Sequence, residues 1–280
     1  MNSPTRNLKY TRIGGFLAIS LLSAIACGPD RMTELSARLT DRIDQTAADV
    51  VGVYFYDLAA GDSLSLNAGT ALHAASMMKV LVMIQAFRDI DANLLSLDDA
   101  ITINNTFHSV VDGSPYQLSA GDDSDSVLYA RVGGIAKVSD LLNLMITVSS
   151  DLAANILIDH LGAQRIQSLA HELEAHSMMM IRGVEDLKAY EAGINNRTTA
   201  RDMGQLFRLI SDGRAASEAS CKKMIAILSE QRFNDGIPAG LPAGTKVAHK
   251  TGRITLINHD GGIVYTRNGK EYVLVVLTSG

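Results

Sequence analysis

Strand-like alternation occupies both ends of this chain and helical periodicity fills its middle, which leaves few architectures open. Near the start, DVVGVYFYDLAAGDSLSLNAG (49–69) alternates apolar residues about a Gly61-Asp62 turn and reads as a hairpin. At the far end TKVAHKTGRI, GGIVYT and KEYVLVVLTSG read as strands, the last two joined by Asn268-Gly269, a strong hairpin signal. Between them lie an apolar helix within HAASMMKVLVMIQAF (73–87), a polar loop-like stretch (88–137), and helical patterns at 139–148, 151–161, 163–176, 198–213 and 216–230. The pattern predicts an α/β (α+β) chain: one antiparallel sheet built from both termini, with an all-helical lobe inserted. With 280 residues, 47% of them hydrophobic, the chain can bury a large core. Its net charge is -5 with scattered basic residues, so no nucleic-acid partner is expected.

The first residues read as an export signal. Arg6, Lys9 and Arg12 precede the apolar run IGGFLAISLLSAIA (13–26), which is too short for an ordinary membrane span. Two endings fit: Ala24-Ile25-Ala26 is a small-x-small cleavage site, and Cys27 directly after it fits a lipoprotein signal. The lipoprotein ending is preferred, by resemblance to bacterial lipoproteins. It predicts a signal over 1–26, lipidation of Cys27, and a periplasmic protein anchored to a membrane by lipid. Cys221 is then unpaired, and its helix suggests a core thiol.

Ser76 and Lys79 stand three apart at the start of the 73–87 helix, but the spacing alone says little. Ser220 and Lys223 make a second such pair, and a serine before an apolar run is an ordinary helix cap. Order decides between the readings. Ser76-x-x-Lys79 is followed by Ser149-Ser150-Asp151 before an apolar helix, and by Lys250-Thr251-Gly252 on a strand. HELEAH (171–176) spaces its histidines by five rather than the four of a zinc-binding H-E-x-x-H, so it reads as surface helix.

The ordered set S-x-x-K, S-x-[N/D], K-T-G resembles the class A serine β-lactamases, within the superfamily that includes penicillin-binding proteins and D-Ala-D-Ala peptidases. In that family a deacylating glutamate follows by thirty residues the asparagine that closes the SDN-x-A-A-N stretch, four residues beyond the second motif. Here Asn155 leads to Glu185 at that interval, in RGVEDLKAY, and NNRTTARDMGQLF resembles the exit from the family's Ω-loop. The resemblance implies a catalytic domain over 33–280, with a sheet lobe from about 33–75 and 231–280 and a helical lobe from about 76–230. It implies a small-molecule substrate, a monomer, and no cofactor or metal. Ser76 would be the nucleophile and Lys79 its base, and Ser149 would relay a proton to the leaving nitrogen. Glu185 would activate the hydrolytic water. Lys250 and Thr251 would receive the substrate carboxylate, and the Arg253 N–H would complete an oxyanion hole.

The departures are specific. Asp151 stands where the family has an asparagine, and an ionised carboxylate there repels an anionic substrate and cannot donate to an acylamide carbonyl. Ala189 replaces the asparagine four residues after the glutamate, the Ω-loop is shorter, and the strand after K-T-G lacks its arginine near HDGG. The sequence ends at Gly280, where the family continues into a C-terminal helix. The same residues leave two rivals open: a D,D-peptidase or esterase of the same fold, and a β-lactam sensor that acylates once.

Overall fold

The structure is a computed structural model that describes residues 29–280; the signal segment and Cys27 lie outside them. Helix α1 (Pro29–Ile43) leads into β1 (Val50–Asp57) and β2 (Ser63–Leu66), then β3 (Leu72–His73) and a 3-10 turn, Ala75–Met78, which runs straight into α2 (Lys79–Asp91). Short strands β4 (Ala100–Thr102), β5 (Phe107–His108), β6 (Pro115–Tyr116) and β7 (Ile135–Lys137) punctuate the polar stretch. Helices α3 (Val138–Thr147), α4 (Asp151–Leu161), α5 (Ala163–Glu172) and α6 (Leu187–Glu191) follow. After β8 (Arg197–Thr198), α7 (Ala200–Ser211) and α8 (Glu218–Ser229), the chain returns through β9 (Lys246–Ile254), β10 (Ile257–Tyr265) and β11 (Glu271–Ser279).

The main sheet is antiparallel with strand order β2-β1-β11-β10-β9. N-terminal β1 therefore pairs with C-terminal β11, Val50 opposite Ser279, so both termini build one sheet and helices fill the interval. The fold is the α/β class that the two-ended pattern predicts. β9 is one of the sheet's two edge strands, which leaves one row of its backbone groups without a strand partner beside the turn that carries Ser76. Gly252 permits that approach: a Cβ there would sit 3.0 Å from Met77 Cγ and 3.3 Å from the Ala75 Cβ.

α2 is buried on every side from Lys79 to Phe87, as a helix apolar all round must be. Each such Leu, Ile or Met side chain contributes roughly 1.5–3 kcal/mol of burial, which fixes the helix start that presents Ser76 and Lys79. Cys221 is a free thiol buried in the same core. α1 carries no signal that the strand and helix patterns used. α5 stops at Glu172 rather than running to 176, because Glu174 takes φ 61°. The Ala175 N–H then bonds the Ala170 carbonyl at 2.9 Å and the Glu174 N–H bonds that of His171 at 3.1 Å, a Schellman closure made without glycine.

Candidate active site

Four side chains, from the 3-10 turn, the start of α2, the loop before α4 and strand β9, meet in one hydrogen-bonded chain. Lys79 Nζ donates to Ser76 Oγ at 3.1 Å and lies 3.3 Å from Ser149 Oγ. Lys250 Nζ reaches Ser149 Oγ from the opposite side at 2.9 Å and also bonds the Thr251 carbonyl at 2.7 Å. Ser76, Ser149, Asp151, Glu185, Thr251 and Arg253 all line one cavity of about 480 Å³, with Leu187, Tyr190, Phe233 and Ile254 as exposed apolar walls. The competing pair is excluded by its surroundings. Ser220 Oγ bonds Asp91 at 2.6 Å in the first turn of α8, and it is buried.

The local backbone explains how the groups are aimed. Ala75 (φ 45°), Ser149 (φ 60°) and Glu185 (φ 58°) all occupy the left-handed region that non-glycine residues avoid. Each lies at a bend that turns a functional side chain into the cavity. Ser150, not Ser149, caps α4, accepting from the Ala153 N–H at 3.3 Å. That leaves the Ser149 hydroxyl free for the two lysines. Asp123 completes the helix start by accepting from the Asp151 and Leu152 N–H groups, at 2.9 and 3.0 Å. Nothing in the polar stretch around Asp123 marked it for that role.

The segment bearing Glu185 is clamped at both ends. Asn155 binds Val184 twice, Nδ2 donating to its carbonyl at 2.9 Å and Oδ1 accepting its N–H at 2.7 Å. Gly183 allows the contact, since a Cβ there would fall 3.0 Å from Asn155 Oδ1. Asn196 accepts from the Ile181 and Arg182 N–H groups, and the Arg182 guanidinium bonds the Ile194 carbonyl and Asn195 Oδ1. Asp186 caps α6 through the Ala189 N–H and takes bonds from Ser109 and Val110. Ala189 itself is fully buried and offers no polar group to the cavity.

Two expectations change in detail. Asp151 does not stand as a free carboxylate facing substrate: its Oδ1 forms an ion pair with Lys79 Nζ at 2.6 Å, the ammonium buried and the carboxylate 19% exposed. Lys250 does not line the cavity; it is fully buried behind Ser149 and Thr251, and Thr251 is the member of K-T-G at the wall. Burial, then repulsion from Lys79, holds the Lys250 ammonium well below the ordinary lysine range, against the pull of Asp151 and Asp260. Arg253 is at the rim, its guanidinium paired with Asp235 at 2.8 Å. His249 next to Lys250 is engaged on both ring nitrogens, by Asp260 at 2.8 Å and Asn234 at 3.2 Å.

Burial raises the Glu185 pKa, and the Asp151 charge adds to the shift, while a backbone hydrogen bond from Ser119 opposes it. A base role needs the ionised form, so a raised pKa moves the loss of activity on acidification to higher pH than an exposed glutamate gives. We expect the decay of any Ser76 adduct to slow as pH falls, with its midpoint above the ordinary glutamate value of about 4.3. Intact mass of the adduct followed from neutral to acid pH measures this; a pH-independent decay contradicts it.

The beta-lactamase enzyme family matches residues 34–280. A beta-lactamase of Streptomyces lavendulae is 24% identical over 263 residues, covering 90% of this chain and 79% of that protein. Among solved structures, a beta-lactamase from Sphaerobacter thermophilus shares 25% identity with a TM-score of 0.72, over 87% of this chain and 88% of that one. A mutant of PBP-A, solved as an acyl-enzyme complex with penicillin G, gives a TM-score of 0.75 at 25% identity over 88% of both chains. The chain belongs to the beta-lactamase enzyme family.

Proposed function

We propose that the protein is an exported serine hydrolase that opens β-lactam rings through acylation of Ser76, followed by hydrolysis assisted by Glu185. The observation that carries this reading is the continuous contact Ser76–Lys79–Ser149–Lys250 along a cavity that also exposes Glu185. Ser76 Oγ attacks the lactam carbonyl while its proton passes to Lys79. Its N–H, among the leading amides that a helix start leaves unpaired, and that of Arg253 on the edge strand stabilise the oxyanion. The lactam nitrogen takes the Ser149 hydroxyl proton as the C–N bond breaks. Glu185 then removes a proton from the water that attacks the ester, and Ser76 is regenerated. Thr251, the member of K-T-G at the cavity wall with Lys250 packed behind it, receives the substrate carboxylate.

A second reading is a penicillin-binding protein that acylates and releases slowly, as a peptidase or a sensor would. Ala189 favours it, because no side-chain amide from that position helps fix the water beside Glu185. Turnover of a chromogenic cephalosporin by the purified protein separates the two: sustained hydrolysis of many equivalents supports the hydrolase, and a burst of one equivalent supports the slow binder.

Export rests on the basic and apolar residues of 1–26, and membrane attachment on Cys27. Cys27→Ser should move the protein from the membrane fraction to the soluble exported fraction. A wild-type protein that is already soluble, with a free thiol at Cys27, contradicts the anchor. No helix among the described residues is long and apolar enough to cross a membrane.

A further inference from the structure

Lys79 Nζ has four acceptors within hydrogen-bond distance, and they differ in one chemical respect. The Ser149 carbonyl at 2.7 Å and the Ser76 and Ser149 hydroxyls at 3.1 and 3.3 Å are far too weakly basic to take a proton from an ammonium, whereas the Asp151 carboxylate at 2.6 Å is a Brønsted base. As an ammonium, Lys79 shares its three N–H bonds among these four acceptors and has no lone pair to turn toward Ser76. In that state it positions the serine but cannot take its proton.

We infer that Asp151 is the proton-holding partner of Lys79, taking one ammonium proton as substrate binds and returning it after the lactam nitrogen has been protonated. This rests on Ser76 being the nucleophile. The balance closes. One proton moves from Nζ to Oδ1, which frees the amine lone pair. The Ser76 hydroxyl proton then moves to Nζ as Oγ bonds to the carbonyl carbon. The C–N bond breaks, its electron pair goes to nitrogen, and that nitrogen takes the Ser149 proton. Lys79 refills Ser149 Oγ across 3.3 Å, and Asp151 returns its proton to Lys79. The net change is one proton from Ser76 to the lactam nitrogen, with the ion pair restored.

The surroundings support the exchange. Substrate entry expels water from the cavity, and two separated charges lose more from that than a neutral amine beside a carboxylic acid. Lys250 from β9, Glu185 from the clamped segment, Tyr129 from the turn Leu128–Arg131 and Asp123 at the start of α4 all face the pair. Lys250 is pushed down by burial and then by Lys79, and Glu185 is pushed up by burial and then by Asp151, so the site is short of room for further charge of either sign.

The test is the single-turnover rate of Ser76 labelling by a fluorescent penicillin, from about pH 6 to about pH 10, in wild type, Asp151→Asn and Asp151→Glu. Asparagine keeps an acceptor for Lys79 but cannot hold a proton. We expect Asp151→Asn to acylate ~10²-fold more slowly near neutrality, and its rate to climb with pH as Lys79 loses its proton to solvent instead. Asp151→Glu keeps a carboxylate and should recover much of the rate, and wild type should show no alkaline climb. Equal rates and equal pH profiles for wild type and Asp151→Asn would leave Asp151 a mere counterion. So would an Asp151→Glu variant no faster than Asp151→Asn, or a wild type that climbs with pH as steeply as the asparagine variant. Absence of labelling in the wild type overturns the Ser76 reading and the inference with it; labelling that Asp151→Asn matches overturns the inference alone.

Discussion

Ser76→Ala should abolish covalent labelling by a fluorescent penicillin and lower β-lactam hydrolysis on the order of 10⁶-fold, the scale at which a serine hydrolase loses its covalent step. The fold should survive the change. Ser76 Oγ contributes one hydrogen bond, from a lysine that keeps Asp151 and the Ser149 carbonyl as partners, so the stability shift should stay within about 1.5 kcal/mol. A near-normal melting curve beside lost labelling separates chemistry from unfolding. Ser220→Ala is the matched control, because that hydroxyl serves Asp91 and not Lys223. Labelling that persists in Ser76→Ala, or disappears in Ser220→Ala, contradicts the assignment.

Glu185→Ala should act on the second half of the reaction. In the proposed reaction the ester on Ser76 would lie in the cavity whose walls include Leu187, Tyr190 and Val184, with Glu185 a half-buried carboxylate on the clamped segment. General-base assistance of this kind is worth ~10²–10⁴-fold. The variant should open one equivalent of lactam at close to the normal rate and then stall, with the acylated protein visible by intact mass. Ala189 leaves the attacking water with fewer fixed partners than an amide at that position gives, so the wild type itself should deacylate measurably rather than instantly. If the wild type and Glu185→Ala hold the adduct equally long, Glu185 is not the base and the slow-binding reading prevails.

The fold was legible where periodicity is strong. Alternation in β1 and at the C-terminal hairpin, and the 3.6-residue stripes of α3, α4, α7 and α8, carried the class and the sheet's two-ended origin. What escaped depends on contacts between distant residues. The Lys79–Asp151 ion pair joins positions 72 apart, so the sequence left Asp151 an unpaired carboxylate directed at substrate. The full burial of Lys250 behind Ser149 and Thr251 was likewise hidden, because charge is visible in a sequence and burial is not. Asp123 belongs to a polar run with no pattern of its own, and the end of α5 is set by a left-handed glutamate where a glycine is the usual marker. The motifs gave residue types in order; the three left-handed bends that aim them left no trace in composition.

If Ser76 carries the covalent intermediate, the adduct can be mapped to that residue. Wild-type protein is mixed with benzylpenicillin, quenched in acid within seconds, digested, and the peptides are fragmented in a mass spectrometer. We expect a mass gain of one intact penicillin, the mark of ring opening onto a nucleophile without loss of atoms, on the peptide bearing Ser76 and localised to that residue. No adduct at any quench time, or an adduct on Ser149 or Ser220, would contradict it.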